Sequence, residues 1–259
     1  MCFDIDSTPP NLPPGIQEHG GASSGERITL TSADGTPFAA YVARSEAPNG
    51  AGIVICPDVR GLFSFYEQLA VRFAVAGVEA IAIDYFGRTA GTLPRQDDFE
   101  YMPHVKQAKP EQVQQDISAA LAYLRGMKGA HITSLFTVGF CFGGGISFAQ
   151  AANRHGLAGV IGFYGSPLAR PGFVDQGPID RVKEMECPVL GLFGGADQGI
   201  PVESVHQFDQ ALTTAGVEHS LHIYPNTPHS FFDRKYEEYQ AESADAWNRM
   251  LDFIGKHTK

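Results

Sequence analysis

Short apolar runs alternate with amphipathic stretches along most of this chain. Residues 52–56 (GIVIC), 78–84 (VEAIAID), 134–139 (SLFTVG), 158–164, 188–194 and 219–224 are too short for helices and too continuously apolar for surface loops. Such runs read as strands buried on both faces of a sheet. Between them the period changes. Residues 65–76 carry Leu69, Phe73 and Ala76 along one helical face, and Gly77 closes the segment. Residues 111–126 set Val113, Ile117, Ala120, Leu121 and Leu124 on one face, 142–153 form a helix of small residues, and 203–215 and 236–254 supply two more helices. Near the start, 27–31 and 37–43 flank Asp34-Gly35, the signature of a hairpin turn. The alternation predicts an α/β fold: a mostly parallel central sheet with helices on both faces and an antiparallel hairpin at one edge.

Two stretches interrupt the rhythm, 85–110 and 166–186. Both are rich in Pro and Gly, and they read either as pocket walls and lids or as plain surface excursions. Residues 1–25, dense in Pro, Gly and Ser, read as an N-terminal arm, extended on the surface or disordered, ahead of a single domain over 26–259. That arm has neither the basic start nor the apolar core of a signal peptide.

Composition narrows the function. At 259 residues the chain can bury a core without disulfide or metal staples. With 19 Lys+Arg against 29 Asp+Glu, the net charge is −10 and no basic stripe is visible, which argues against nucleic acid as a partner. No apolar run approaches the roughly 18 residues of a membrane span. Cys2, Cys56, Cys141 and Cys187 include no CxxC pair and no Cys/His cluster. The expectation is reduced thiols in a cytoplasmic protein without a metal site.

The chemistry concentrates in Gly139-Phe140-Cys141-Phe142-Gly143-Gly144, which follows a predicted strand and opens a predicted helix. This is the G-x-Nu-x-G nucleophile elbow with Cys as the nucleophile. A side chain there sits on a tight turn at a helix N-terminus, whose partial positive charge stabilises an anion, and the flanking glycines remove Cβ atoms that would clash. The backbone N–H of Phe142 would face a developing oxyanion. Asp197 lies just past the strand 188–194, and His229 lies between the strand 219–224 and the last helix. Each alone is weak, because a lone Asp in a Gly-rich loop is usually turn chemistry. The order nucleophile, acid, base, each past a strand end, is that of α/β-hydrolases. Gly143-Gly144-Gly145 is no phosphate loop, since no Lys follows it.

From about Arg27 onward the chain resembles the dienelactone hydrolase (carboxymethylenebutenolidase) family. The segments that carry the resemblance are CPDVRGLFSFYEQLA (56–70), IAIDYFGR (81–88), GFCFGGG (139–145), GFYG (162–165), GLFGGADQGIP (191–201) and PHSFFD (228–233). The resemblance implies an α/β-hydrolase fold and a cofactor-free esterase or lactonase acting on a small-molecule ester or lactone. It implies a triad of Cys141, Asp197 and His229, with an oxyanion hole from the amides of Val59 and Phe142. The family's loop Glu, which contacts the resting thiol, is matched here by Asp58, one methylene shorter. The family also holds a substrate carboxylate with arginines. The position four residues after the triad His is Asp233, followed by Arg234. Arg60, Arg88 and Arg95 are further candidates for that role, and Tyr101 is a candidate pocket wall. A carboxylesterase, thioesterase or acyl-transfer enzyme of the same fold shares every feature of the triad. A ligand-binding or thiol-sensing protein on this scaffold would keep the fold and lose turnover. A monomer or a small homo-oligomer fits either case.

Overall fold

The computed structural model describes residues 7–14, 25–95, 98–170, 174–233 and 236–259. The apolar runs pair as the pattern predicts. Strands β1 (Gly25–Thr31), β2 (Pro37–Ala43), β3 (Ala51–Cys56), β4 (Glu79–Ile83), β5 (Ser134–Phe140), β6 (Gly159–Phe163), β7 (Val189–Gly194) and β8 (His219–Tyr224) form one sheet in the order β1-β2-β4-β3-β5-β6-β7-β8. The six strands from β3 to β8 run parallel, and the hairpin β1-β2 joins antiparallel at the β4 edge. Strands β3 to β7 are buried at every position, whereas β1 and β8, at the two edges, are largely accessible. Two-sided burial is why the inner strands are continuously apolar.

Helices α1 (Ser64–Val75), α4 (Pro110–Arg125), α5 (Phe142–Gln150), α6 (Val202–Ala215) and α7 (Gln240–His257) cover the sheet. Successive strand residues point to opposite faces. Phe136 of β5 meets Phe253 of α7, while its neighbour Thr137 shares a 2.7 Å hydrogen bond with Ser147 of α5, so α5 and α7 lie on opposite sides. Phe73 of α1 packs on Trp247 of α7, and Phe148 of α5 packs on Phe208 of α6. In α7 the buried set Ser243, Ala246, Trp247, Met250 and Ile254 repeats at three and four residues, as an amphipathic helix requires.

Several bounds differ from the sequence reading, among them that of α5, which ends at Gln150 rather than 153. Strand β1 begins at Gly25, two residues early, because its whole length pairs with β2. The last helix begins at Gln240 rather than 236, because the preceding turns carry Phe231 and Phe232 into the core. The stretches 85–110 and 166–186 are not wholly irregular: the first holds α2 (Gly87–Ala90) and α3 (Tyr101–Val105), the second a 3-10 helix, Pro178–Glu184. Of the N-terminal arm, residues 7–14 are described and lie against the domain. The Pro10 carbonyl accepts hydrogen bonds from Arg72 Nε of α1 (2.8 Å) and Trp247 Nε1 of α7 (3.2 Å).

Arg88 has a structural place. Its guanidinium donates to both carboxylate oxygens of Asp116 on α4 (2.8 and 3.0 Å), to Asp34 in the hairpin turn (2.8 Å) and to Ser32 (3.0 Å). The guanidinium that the sequence reading offers to a substrate anion is thus engaged by remote acids, 54 and 28 residues away in sequence. The two acids respond differently. Asp34 is partly exposed, and its bonds to Arg88 and to the Thr36 amide hold its pKa down at about 2. The Asp116 side chain is fully buried, and desolvation raises its pKa although Arg88 pulls the other way.

Arg88→Gln strands a buried carboxylate and is expected to lower the unfolding free energy by about 3 kcal/mol at pH 7.5. A raised folded-state pKa means that the folded protein binds more protons than the unfolded chain near that pKa, so stability rises as pH falls. The loss is therefore expected to be smaller at pH 5. Urea unfolding at the two pH values measures it, and an equal loss at both would rule out proton uptake by Asp116.

Candidate active site

Parallel strands deliver their following loops to one edge of the sheet, so residues after β3, β5, β6, β7 and β8 share that edge. Cys141 follows β5 and is the N-cap of α5, with φ 56° and ψ −111°. That combination lies outside the regions open to a residue with a Cβ and costs on the order of 1–3 kcal/mol. Close packing holds it. The Cys141 amide donates to the Phe163 carbonyl of β6 (3.0 Å), and its own carbonyl accepts from Gly144 (3.1 Å). A Cβ on Gly139 would lie 1.8 Å from the Gly143 carbonyl oxygen. A Cβ on Gly143 would lie 2.0 Å from the Cys56 oxygen and 2.3 Å from the Pro57 oxygen. The elbow thus rests, backbone on backbone, against the end of β3.

The loop after β3 carries Asp58, Val59 and Arg60. The Asp58 amide donates to the Tyr66 hydroxyl (2.9 Å), and the Tyr85 hydroxyl donates to the Pro57 carbonyl (2.8 Å). The Asp58 side chain is fully buried, and its Oδ1 accepts from the Arg60 amide (2.8 Å), a contact that orders the loop. Val59 is half-buried, and the Arg60 guanidinium lies 5.6 Å from the centre of the Phe63 ring. Farther along, the Leu62 amide donates to Asp84 (3.2 Å).

Asp84 explains Arg95. The Arg95 guanidinium bonds the buried Asp84 carboxylate and the carbonyls of Ala90 (3.0 Å) and Gly91 (2.9 Å), and it lies 4.8 Å from the centre of the Phe99 ring. Arg95, another candidate for a substrate anion, here clips the 85–110 stretch to the end of β4. Burial raises the Asp84 pKa, and the Arg95 charge opposes that shift. Tyr101 opens α3 and packs half-buried against the core. Arg234 lies outside the described residues.

His229 and Asp197 come together. His229 Nδ1 lies 2.6 Å from Asp197 Oδ2. The other oxygen, Oδ1, accepts from the amides of Gly199 (2.7 Å) and Ile200 (3.2 Å), which fixes the carboxylate plane. The Asp197 side chain is 2% exposed and that of His229 30% exposed, so the pair has a dry end and a wet end. Gly194 lets the two loops meet, since a Cβ there would lie 2.3 Å from the Thr227 carbonyl oxygen.

Sequence reasoning missed Tyr164 as a support. It follows β6 directly after the Phe163 carbonyl that holds Cys141, and its ring lies 4.9 Å from that of His229. Its hydroxyl donates to buried Asp233 (2.8 Å). Asp233, at the position where the family resemblance implies an arginine, thus anchors the ring beside the histidine. The segment GFYG contained the signal, but nothing in it pointed to a partner 69 residues away. Among the described residues Cys56, Cys141 and Cys187 form no disulfide. Burial pushes the Cys56 and Cys187 thiols up to about 12, as expected of inert packing thiols.

Gly143→Ala is expected to destabilise the fold by about 3 kcal/mol or more, because both carbonyls it would strike are backbone. Thermal unfolding measures this, and a variant as stable as wild type would contradict the packing just described.

The model of the dienelactone hydrolase family matches residues 38–258. A Yersinia pestis protein provisionally named a carboxymethylenebutenolidase is 30% identical over 247 residues, covering 93% of this chain and 91% of its own. A Methylorubrum extorquens protein with the same provisional name is 28% identical over 240 residues, covering 92% and 82%. A crystal structure from Klebsiella pneumoniae, provisionally described as a dienelactone hydrolase, superposes with a TM-score of 0.75 at 26% identity, covering 90% of this chain and 99% of that one. A dienelactone hydrolase-like promiscuous phosphotriesterase from metagenomic libraries superposes at 0.74 over 92% of this chain and 100% of its own, and at 19% identity it speaks for the fold alone.

Proposed function

Because the chain belongs to the dienelactone hydrolase family, we propose that it hydrolyses a small-molecule ester or lactone with Cys141 as nucleophile, His229 as base and Asp197 as the acid that orients it. The observation that carries this reading is the 2.6 Å contact between His229 Nδ1 and a carboxylate already fixed by two amides. With Nδ1–H donated to Asp197, the lone pair is on Nε2, the tautomer a general base needs.

His229 Nε2 takes the thiol proton, and the thiolate attacks the carbonyl carbon. The carbonyl electron pair moves onto oxygen, where the amides of Phe142 and Val59 donate to it. The pair then returns, the bond to the alkoxide breaks, and His229 passes its proton to the leaving oxygen. The product is an acyl-thioester on Cys141. Water next gives a proton to His229, its oxygen attacks the thioester, and the C–S bond breaks. The sulfur recovers its proton from His229. The sum is ester plus water giving acid plus alcohol, and in a lactone both groups stay on one molecule. A thiolate leaves more readily than an amine anion, so this chemistry suits activated esters and conjugated lactones rather than amides.

Dienelactone ring opening, followed by ultraviolet absorbance, tests the reading. Wild type is expected to turn over and Cys141→Ala to show no enzymatic rate. Asp197→Asn is expected to lower kcat by about a hundredfold or more, since it no longer holds the working tautomer. A Cys141→Ala protein that keeps its rate would overturn the assignment of the nucleophile.

A further inference from the structure

Tyr164 holds a backbone conformation that is rare for an aromatic residue. Its φ is 36°, in the left-handed region where a bulky side chain is strained. Six non-glycine residues among those described have a positive φ, and three of them lie at the candidate site: Cys141, Tyr164 and Ser230, the residue after His229. The turn at Tyr164 is pressed against α5, since a Cβ on the next residue, Gly165, would lie 2.3 Å from the Gly144 carbonyl carbon. Strain of this kind persists only where the surroundings over-determine it, and it gathers at functional sites.

The surroundings here are the three loops of the site. The Tyr164 amide donates to the Leu192 carbonyl of β7 (2.8 Å), the strand that leads to Asp197. The carbonyl just before it, that of Phe163, accepts from the Cys141 amide (3.0 Å). Its hydroxyl donates to Asp233 (2.8 Å), four residues beyond His229, and tyrosine and acid are both fully buried. Its ring centre lies 4.9 Å from that of His229, with the planes 55° apart. The bond from Nδ1 to Asp197 fixes one point of the imidazole, and a ring about that point can still pivot. An aromatic ring packed against it removes that freedom. The distance is also within the reach of about 6 Å over which an aromatic ring attracts a cation.

We propose that Tyr164, anchored by Asp233, is the positioning residue of His229: it holds the imidazole in the plane in which Nε2 takes a proton, and it favours the imidazolium once the proton has moved. The kinetic consequence rests on the hydrolase reading, but the hold on His229 is measurable without turnover.

Hydrolysis of p-nitrophenyl acetate by Tyr164→Leu, Tyr164→Phe and Asp233→Asn gives the kinetic test. Tyr164→Leu removes the ring and is expected to lower kcat by about thirtyfold with KM within about twofold of wild type. Tyr164→Phe keeps the ring without its anchor and is expected to recover most of that loss, to about fivefold below wild type. Asp233→Asn keeps an acceptor for the hydroxyl and is expected to stay within about twofold. A folded Tyr164→Leu protein with unaltered kcat, or with a loss confined to KM, overturns the proposal while the hydrolase reading stands. Should that variant not fold, Tyr164→Phe decides, and an unaltered kcat there overturns the anchor. Proton NMR of the His229 Cε1–H, identified by its loss in His229→Gln, reads the hold directly. The titration is made in a Cys141→Ala background, which removes the coupled thiol and leaves Asp197 and Asp233 in place. Tyr164→Leu is expected to move the His229 midpoint to lower pH by about half a unit, and Tyr164→Phe to leave it near that of the parent. Equal midpoints in all three proteins overturn the proposal. If wild type cleaves no ester, the hydrolase reading fails instead, and this titration alone decides the role of Tyr164.

Discussion

Backbone contact between the nucleophile elbow and the end of β3 is the constraint on which the rest of this site depends. Gly143 sits over the carbonyls of Cys56 and Pro57 with no space for a methyl group, and Gly139 is closed off by Gly143 in the same way. Side chains can yield by a few tenths of an ångström, but carbonyls at strand ends cannot, because their strands are hydrogen-bonded on both sides. The strained dihedrals of Cys141 are therefore held by the sheet itself. The loop bearing Asp58 and Val59 starts from the same carbonyls, so the two proposed oxyanion donors are positioned by one shared contact.

Around that contact the molecule distributes its polar groups by a consistent rule. Asp84 and Asp116 are buried, and each is met by an arginine from the 85–110 stretch. Asp197 is buried and met by two amides and a histidine. Asp233 is buried and met by a tyrosine hydroxyl. A buried carboxylate without partners is costly, so these acids act as fixed points that orient whatever pairs with them. Three lock loops or side chains in place, and the fourth, Asp197, orients a group that reaches solvent.

How much of this was legible in the sequence follows from the range of each interaction. Strands β3 to β8, the main helices and the hairpin were readable because hydrophobic period is local. Cys141 was readable because a strained turn demands glycines within two residues on either side. Asp197 and His229 were readable from chain order, and their pairing agrees with it. The arginines were not readable: nothing near Arg88 indicates that Asp34 and Asp116 will claim it, and nothing near Arg95 indicates Asp84. Tyr164 failed for the same reason, its partners lying in a loop that only the closed sheet brings near. The start of α7 was misjudged because 236–239 look helical in composition, while the need to bury Phe231 and Phe232 bends the chain there instead.

The Pro10 carbonyl ties the first long helix to the last, accepting one hydrogen bond from Arg72 and another from Trp247. Its effect is one of timing. During synthesis Arg72 emerges from the ribosome while most of the sheet is still unmade, whereas Trp247 appears only after every strand has been produced. The segment around Pro10 is thus made before both of its partners and finds the second only once Trp247 has emerged. The clasp at Pro10 therefore closes in full only after the last strand has been made, and a nascent chain stalled before α7 lacks the Trp247 half of it.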